Sequence, residues 1–172
     1  FKYDEALRSL IEHKYRLKNT TGYAINALID FEDPIDILLH LMIGSEGTLG
    51  FIANITYHTV PDYQHKASAL YSFSSAAQAC KLVTALSTSP VEAVELMDQR
   101  AINSVKGKAG LPDRFCDLPD ETTALLIETR AESATELTQN IAEIEQLIAS
   151  FQPVEAIDFT TDTTLCSQLW DI

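Results

Sequence analysis

Glycines recur at a spacing of three in the segment Gly44-Ser45-Glu46-Gly47-Thr48-Leu49-Gly50. Glycine lets the backbone turn sharply and lets another molecule approach the peptide groups closely. An apolar segment, residues 35–43, precedes this glycine loop, and a β-rich run, residues 51–60, follows it. A glycine-rich crossing between two buried elements suits one wall of a cofactor site. The spacing alone does not name the cofactor, and it also fits a loop that only turns a corner.

Two further groups of polar residues extend the candidate site. Glu46 can either meet the edge of a ligand or accept backbone N–H bonds that hold the loop in shape, and we do not assign it as a catalytic base. The segment Asn19-Thr20-Thr21-Gly22-Tyr23 forms a polar turn that turn chemistry alone also explains. Asn26 follows this turn and is interpreted as structural.

Other ionisable residues offer weaker candidates. Arg130 ends an apolar strand, and its guanidinium fork matches a substrate carboxylate, although a surface role fits as well. Asp98 is interpreted as a helix cap, and Glu95 faces either a pocket or solvent. The four histidines, His13, His40, His58 and His65, show no metal-ligand spacing, so we predict no metal site.

Composition narrows the function classes. The chain of 172 residues has 25 acidic and 12 basic residues and a net charge of −13, which disfavours a nucleic-acid surface. No stretch approaches the ~20 apolar residues of a membrane-spanning helix. The three cysteines lack the spacing of a zinc or iron–sulfur site and indicate free thiols in a reducing cytoplasm.

The pattern of apolar residues predicts two parts of the chain. In the first, Asp4 caps a helix, Asp33-Pro34 begins a second helix that ends near Met42, and Phe51–Val60 forms a half-buried strand. The second alternates strands and helices: strand 66–73, a helix capped by Ser74 or Ser75, strand 91–97, helix 99–106, loop 107–120, strand 122–129, helix 133–151 and strand 154–159. Ser133 and Glu136 form a capping-box pattern at the start of the clearest helix.

Taken together, these segments resemble the FAD-linked oxidases. The resemblance rests on Lys18-Asn19-Thr20-Thr21-Gly22-Tyr23, Asp36-Ile37-Leu38, the glycine loop and Val60-Pro61, and it continues more weakly through Val94–Asp98, Thr122–Arg130 and Leu169-Trp170-Asp171-Ile172. Within the vanillyl-alcohol-oxidase superfamily, the chain is similar to the D-lactate and D-2-hydroxyglutarate dehydrogenases and the glycolate oxidase flavin subunit. The segments Asn19–Tyr23 and Gly44–Gly50 would each be weak evidence of the family alone, but their combination about twenty residues apart is specific.

The resemblance implies an α+β fold. Residues 1–62 would end a vanillyl-alcohol-oxidase-type FAD-binding domain, and residues 63–172 would form part of a ferredoxin-like cap, an antiparallel sheet with helices on one face. The missing initiator Met and the missing pyrophosphate loop predict that the chain is a fragment and that the fragment alone is inactive. The residues implied to contact FAD in the full-length protein are Asn19, Thr20, Gly22, Gly44, Ser45, Glu46, Gly47, Thr48, Gly50 and Ile52.

The implied reaction is the oxidation of a small D-2-hydroxy acid, of the lactate, 2-hydroxyglutarate or glycolate type, to the 2-oxo acid by hydride transfer to flavin. The electron acceptor stays open, as do an oligomer and an iron–sulfur cluster outside this segment. The implied location is cytoplasmic, with peripheral contact to the inner face of a membrane left open. The alternative is a non-catalytic α+β binding or oligomerisation module without flavin.

Overall fold

A computed structural model describes residues 3–172 and divides the chain into two compact units, one ending at Thr59 and one from Val60 to Ile172. The first unit contains helices α1 (Glu5–Lys14), α2 (Ala27–Asp30) and α3 (Pro34–Met42). Within residues 3–172, none of the helices is long and apolar enough to cross a membrane.

Side-chain caps set the two longer helices of the first unit, as predicted. Asp4 accepts a bond from the Leu7 N–H at the start of α1, and Asp33 accepts from the N–H groups of Ile35 and Asp36 at the start of α3. A proline at the first helical position gives up only a donor that would have no partner inside the helix.

The prediction that Phe51–Val60 forms a strand is wrong. These residues form no regular secondary structure, and every one of their side chains is exposed. An alternating sequence becomes a strand only when another strand satisfies its N–H and C=O groups. The described part of the first unit contains no strand that could do so.

The second unit is built on a four-stranded antiparallel sheet. Its strands are β1 (His65–Phe73), β2 (Ala93–Asp98), β3 (Thr123–Ala131) and β4 (Glu155–Thr160), in the spatial order β2-β3-β1-β4. Its helices are α4 (Ala76–Leu86), α5 (Gln99–Ser104), α6 (Asp113–Cys116), α7 (Ala134–Ala149) and α8 (Thr163–Trp170). This order is that of the ferredoxin-like split βαβ arrangement, so the α+β prediction is confirmed.

Helices α4 and α7 cover one face of the sheet. Ile144 and Ile148 of α7 pack in one buried cluster with Tyr71, Leu125 and Ile127 of the central strands. The predicted packing of this helix on a sheet is therefore confirmed. Ser133 accepts from the Glu136 N–H as predicted, while the Glu136 carboxylate accepts from Glu132, one residue before the cap.

The prediction that helices lie on one face only is wrong. A second buried cluster joins α5, α6 and α8 to the opposite face of the sheet. Its buried members are Leu70, Ala124 and Leu126 from the strands and Ile102, Leu111, Phe115 and Leu169 from the segments above them. Both faces of β1 and β3 are apolar, and each therefore needs a covering layer.

Candidate functional site

The glycine loop contains a tight turn of left-handed residues. Glu46 has φ 53° and Gly47 has φ 77°, and the Thr48 N–H donates to the Ser45 carbonyl at 3.0 Å. Two positive φ angles between the bonded residues are the signature of a type I′ turn. A non-glycine residue in this region is uncommon, so Glu46 occupies the more strained position of the pair.

The two sequence motifs meet in the structure. The Tyr23 hydroxyl lies 2.9 Å from Thr48 Oγ1, and Thr48 Oγ1 donates to the Ser45 carbonyl at 2.6 Å. Since the single hydroxyl proton of Thr48 serves Ser45, the Tyr23 hydroxyl is the donor to Thr48. Tyr15, at the end of α1, donates its own hydroxyl proton to the Tyr23 carbonyl at 2.8 Å. The polar turn and the glycine loop therefore form one hydrogen-bonded assembly.

We predict that Tyr23→Phe loosens the glycine loop without unfolding the protein. The change removes the donor to Thr48 while keeping the aromatic ring. A net hydrogen bond contributes ~1 kcal/mol, so the amide of Thr48 should exchange with solvent roughly fivefold faster. Tyr57→Phe is the matched control, since Tyr57 is 76% exposed in the segment after the loop. An unchanged exchange rate at Thr48 in Tyr23→Phe would show that the contact does not hold the loop.

The polar turn is fixed locally and stays open to solvent. Asn19 accepts from the Thr21 N–H at 3.1 Å, and Gly22 has φ 76°. Asn19, Thr20 and Gly22 are all exposed. Their side chains and peptide groups are therefore accessible to a ligand.

A cleft of about 420 Å³ lies against the glycine loop. It is lined by Met42, Ser45, Glu46, Gly47, Gly50, Phe51 and Ile52. Ser45 is only 3% exposed, and its hydroxyl oxygen is buried without a hydrogen-bond partner. Buried polar atoms in native proteins are nearly always paired, so this hydroxyl at the cleft wall is a candidate partner for a ligand atom.

Exposed apolar side chains are frequent in the segments on either side of the glycine loop. Leu38 and Leu39 of α3 are each more than half exposed, Phe51 is 91% exposed, and no residue of α3 is buried. A helix that is apolar on most of its surface normally lies inside a larger structure. The cleft therefore offers apolar walls, backbone groups and one unpaired hydroxyl, which suits a planar, mostly apolar group.

Of the ten residues predicted to contact FAD, Asn19, Thr20 and Gly22 lie in the exposed polar turn. Tyr23 joins the polar turn to the glycine loop, and six predicted residues, Ser45, Glu46, Gly47, Gly50, Ile52 and Thr48, line the cleft or hold its turn. Gly44 has φ 75° and follows Ile43, the C-cap residue of α3. Asn26 lies before α2, donates to Asp30, and has a buried side-chain oxygen without a partner.

Arg130 is already bonded to two carboxylates. Its Nε donates to Glu128 at 2.7 Å and its Nη1 donates to Asp62 at 3.2 Å. The bond to Glu128 is the main cause that raises the pKa of Arg130, and a bond to Lys66 lowers the pKa of Asp62. A substrate carboxylate would have to compete with these partners, and substrate binding by Arg130 stays a prediction.

The remaining ionisable candidates cap a helix, stack on a neighbouring ring or lie exposed on the sheet. Asp98 caps α5 by accepting from the Ala101 N–H, as predicted, and Glu95 is exposed on the edge strand β2. His40 stacks on Phe31 with ring centroids 3.8 Å apart. Within residues 3–172, no group of three His, Cys, Asp or Glu side chains is arranged to hold a metal ion.

Sequence reasoning missed a buried polar cluster in the second unit. Ser68 is fully buried and Glu128 is 7% exposed, and the two side chains are bonded across the central strands. One feature of the sequence indicates this cluster: Glu128 directly follows the apolar run Leu125-Leu126-Ile127. Apolar residues of this kind are usually buried, so a carboxylate beside them needs a partner.

Comparison with known proteins agrees with the fold. Residues 63–172 match the family model described as FAD linked oxidases, C-terminal domain. The chain is also 33% identical over 140 residues to a protein of Arabidopsis thaliana named D-lactate dehydrogenase [cytochrome], mitochondrial. That match covers 78% of this chain and 23% of the plant protein, so the chain spans about a quarter of the relative's length. This chain therefore belongs to the FAD-linked oxidase family, and its residues 63–172 match the C-terminal domain of that family.

Proposed function

We propose that the chain is part of a flavin-dependent dehydrogenase that oxidises a small D-2-hydroxy acid to the 2-oxo acid. Membership of the FAD-linked oxidase family supports a flavoenzyme, and the name of the plant relative supports a hydroxy-acid substrate. The observation that carries the proposal within the first unit is the cleft beside the glycine loop, with its unpaired buried Ser45 hydroxyl.

In this proposal, the residues up to position 62 end the FAD-binding domain. Ser45 would donate to an acceptor atom of the flavin. The tight type I′ turn at Glu46 and Gly47 would let the flavin ring approach the backbone of the loop. Tyr23 and Thr48 would hold the turn in that shape. When bound, FAD supplies the hydride acceptor, and the protein's part is to orient the cofactor and exclude water.

The residues 63–172 would form part of the cap over the substrate. Among the described residues of this unit, we assign no base for the substrate hydroxyl proton. An electron acceptor, and any iron–sulfur cluster, would be supplied by other parts of the full-length protein or by a partner.

Two measurements on the full-length protein test the proposal. An absorption spectrum should show bound flavin, and anaerobic addition of D-2-hydroxy acids, one at a time, should bleach it. The L-enantiomers are the matched control. A full-length protein without flavin would favour the alternative of a non-catalytic module. If flavin is bound but no D-2-hydroxy acid reduces it, the proposed substrate class is wrong and the proposed cofactor is right.

We further predict that the chain of 172 residues purifies without stoichiometric FAD. The pyrophosphate of FAD needs a dense set of backbone donors or positive charges. Neither Asn19–Tyr23 nor Gly44–Gly50 contains Lys or Arg, and the chain carries a net charge of −13. The check is the flavin absorbance per polypeptide after purification in the presence of FAD. A yellow protein with one FAD per chain would contradict the prediction.

A further inference from the structure

A chain of hydrogen bonds crosses the second unit from its first residues to its last helix. The Trp170 indole N–H donates to Ser68 Oγ at 3.0 Å, and Ser68 Oγ donates to Glu128 at 3.4 Å. Arg130 donates to both Glu128 and Asp62, at 2.7 and 3.2 Å. We refer to these five residues as the polar relay.

Chemistry fixes the direction of every bond in the relay. An indole nitrogen only donates, so Ser68 must accept from Trp170 and has its own proton free for Glu128. An ionised carboxylate only accepts, and a guanidinium only donates, so Arg130 completes the series. The series therefore runs from Trp170 through Ser68 to Glu128 on one side, and from Arg130 to Glu128 on the other.

Burial makes the central bonds sensitive to substitution. Ser68 is fully buried, and the Glu128 side chain is only 9% exposed. A buried polar group that loses its partner bears its full desolvation cost, whereas an exposed group recovers a bond to water. A substitution at Glu128 should therefore weaken the hydrogen bonding of Ser68, and a substitution at Ser68 should weaken that of Trp170.

The relay joins parts of the chain that are far apart in sequence. Asp62 lies before β1 and is also bonded to Lys66 at 2.8 Å, while Trp170 ends α8 and is separated from Ser68 by 102 residues. Ser68 and Glu128 lie directly opposite each other in the β1–β3 register. The central sheet thus carries a polar connection between the entry of the unit and the end of its last helix.

We propose that Ser68 and Glu128 are positioning residues for Trp170. They fix the indole, and with it the C-terminal end of α8, relative to the segment that enters the second unit. The inference rests on contacts within residues 60–172 and holds whether or not the proposed flavin function is correct.

The test uses Trp170, which is the only tryptophan of the chain. Its indole N–H gives a single signal in a nitrogen–proton correlation spectrum of the 172-residue protein, so its hydrogen exchange can be followed directly. In Ser68→Ala the exchange should quicken roughly fivefold, the factor that a net hydrogen bond of ~1 kcal/mol represents. Glu128→Gln, which does not touch Trp170, should change the exchange in the same direction but less, because the amide oxygen still accepts from Ser68.

Two matched controls separate the relay from general destabilisation. Ser72→Ala removes a buried serine from the same face of β1, and Asp158→Asn neutralises a carboxylate that accepts from Tyr71 on the opposite face. Neither should alter the indole exchange. The backbone amide of Leu125 in the buried core reports global opening in every variant, so a variant that merely unfolds more often accelerates both signals together.

The proposal is overturned if Ser68→Ala leaves the indole exchange unchanged relative to the Leu125 amide. It is equally overturned if the two controls accelerate the indole as much as Ser68→Ala and Glu128→Gln do. A change in Ser68→Ala without any change in Glu128→Gln would limit the positioning role to Ser68 and remove Glu128 from it.

Discussion

Replacing Gly110 by alanine should destabilise the second unit more than any other single methyl addition at a glycine of this unit. Gly110 has φ +89°, and an added Cβ would lie 2.7 Å from Cβ and 3.2 Å from the carbonyl carbon of Gln168 in α8. The left-handed backbone costs about 1–3 kcal/mol for alanine, and overpacking costs about 1–3 kcal/mol more. The expected loss in the free energy of unfolding is therefore about 2–6 kcal/mol, which is a large share of a small domain's stability.

The measurement is urea unfolding of the 172-residue protein, followed by the fluorescence of Trp170 and by circular dichroism. Gly107→Ala is the matched control, because Gly107 has a similar φ of +87° but nothing within 4 Å of the added Cβ. It should show the backbone cost alone, about 1–3 kcal/mol. If both variants lose the same stability, then the loop before α6 does not pack on α8 as the structure shows.

In the full-length protein, Gly47→Val should remove most of the bound flavin while leaving the second unit folded. Gly47 has φ +77°, a region that a β-branched residue hardly enters, so the type I′ turn would have to open. Backbone strain of this kind costs about 1–3 kcal/mol, and displacement of the turn would also move the Ser45 hydroxyl away from the cleft. The measure is flavin absorbance per polypeptide after purification, with circular dichroism to confirm folding.

Four further variants serve as comparisons for Gly47→Val. Gly107→Val bears the same kind of backbone strain in the second unit and should keep its flavin. Glu46→Gly relieves the other left-handed position and should also keep it, as should Glu46→Gln, which retains an acceptor oxygen. Gly50→Val should be milder than Gly47→Val, since its Cβ meets only the flexible end of Met42, at 3.2 Å. Normal flavin content in Gly47→Val would show that the glycine loop is not a wall of the cofactor site.

The sequence predicts much of the secondary structure because the deciding contacts are local. Asp33, Asp98 and Ser133 each accept from an N–H two or three residues ahead, so their capping roles are visible in the sequence. The helix α7 carries its apolar stripe at helical spacing, and β3 contains the apolar run Ala124–Ile127. By contrast, α8 was not predicted, although Asp162 caps it by the same local rule.

The candidate site was predicted in its composition and not in its geometry. The motifs of the polar turn and the glycine loop indicate the candidate residues, and only the structure shows Tyr23 bonded to Thr48 and the Ser45 hydroxyl buried without a partner. Both facts depend on where the segments lie relative to each other in space. Hydrogen-bond partners 25 residues apart leave no periodic trace in the sequence.

By itself, the sequence determined the family resemblance, the start of most helices and the strands of the central sheet, because these depend on residue types at short spacing. Tertiary structure decided whether Phe51–Val60 pairs as a strand, on which faces of the sheet the helices lie, and which buried polar groups find partners. The cover of the second face by α5, α6 and α8 depends on Leu70 and Leu126 meeting residues from distant segments. Strand pairing, layer packing and the bond between Ser68 and Trp170 all require contacts between distant parts of the chain, and such contacts form only when the whole unit folds.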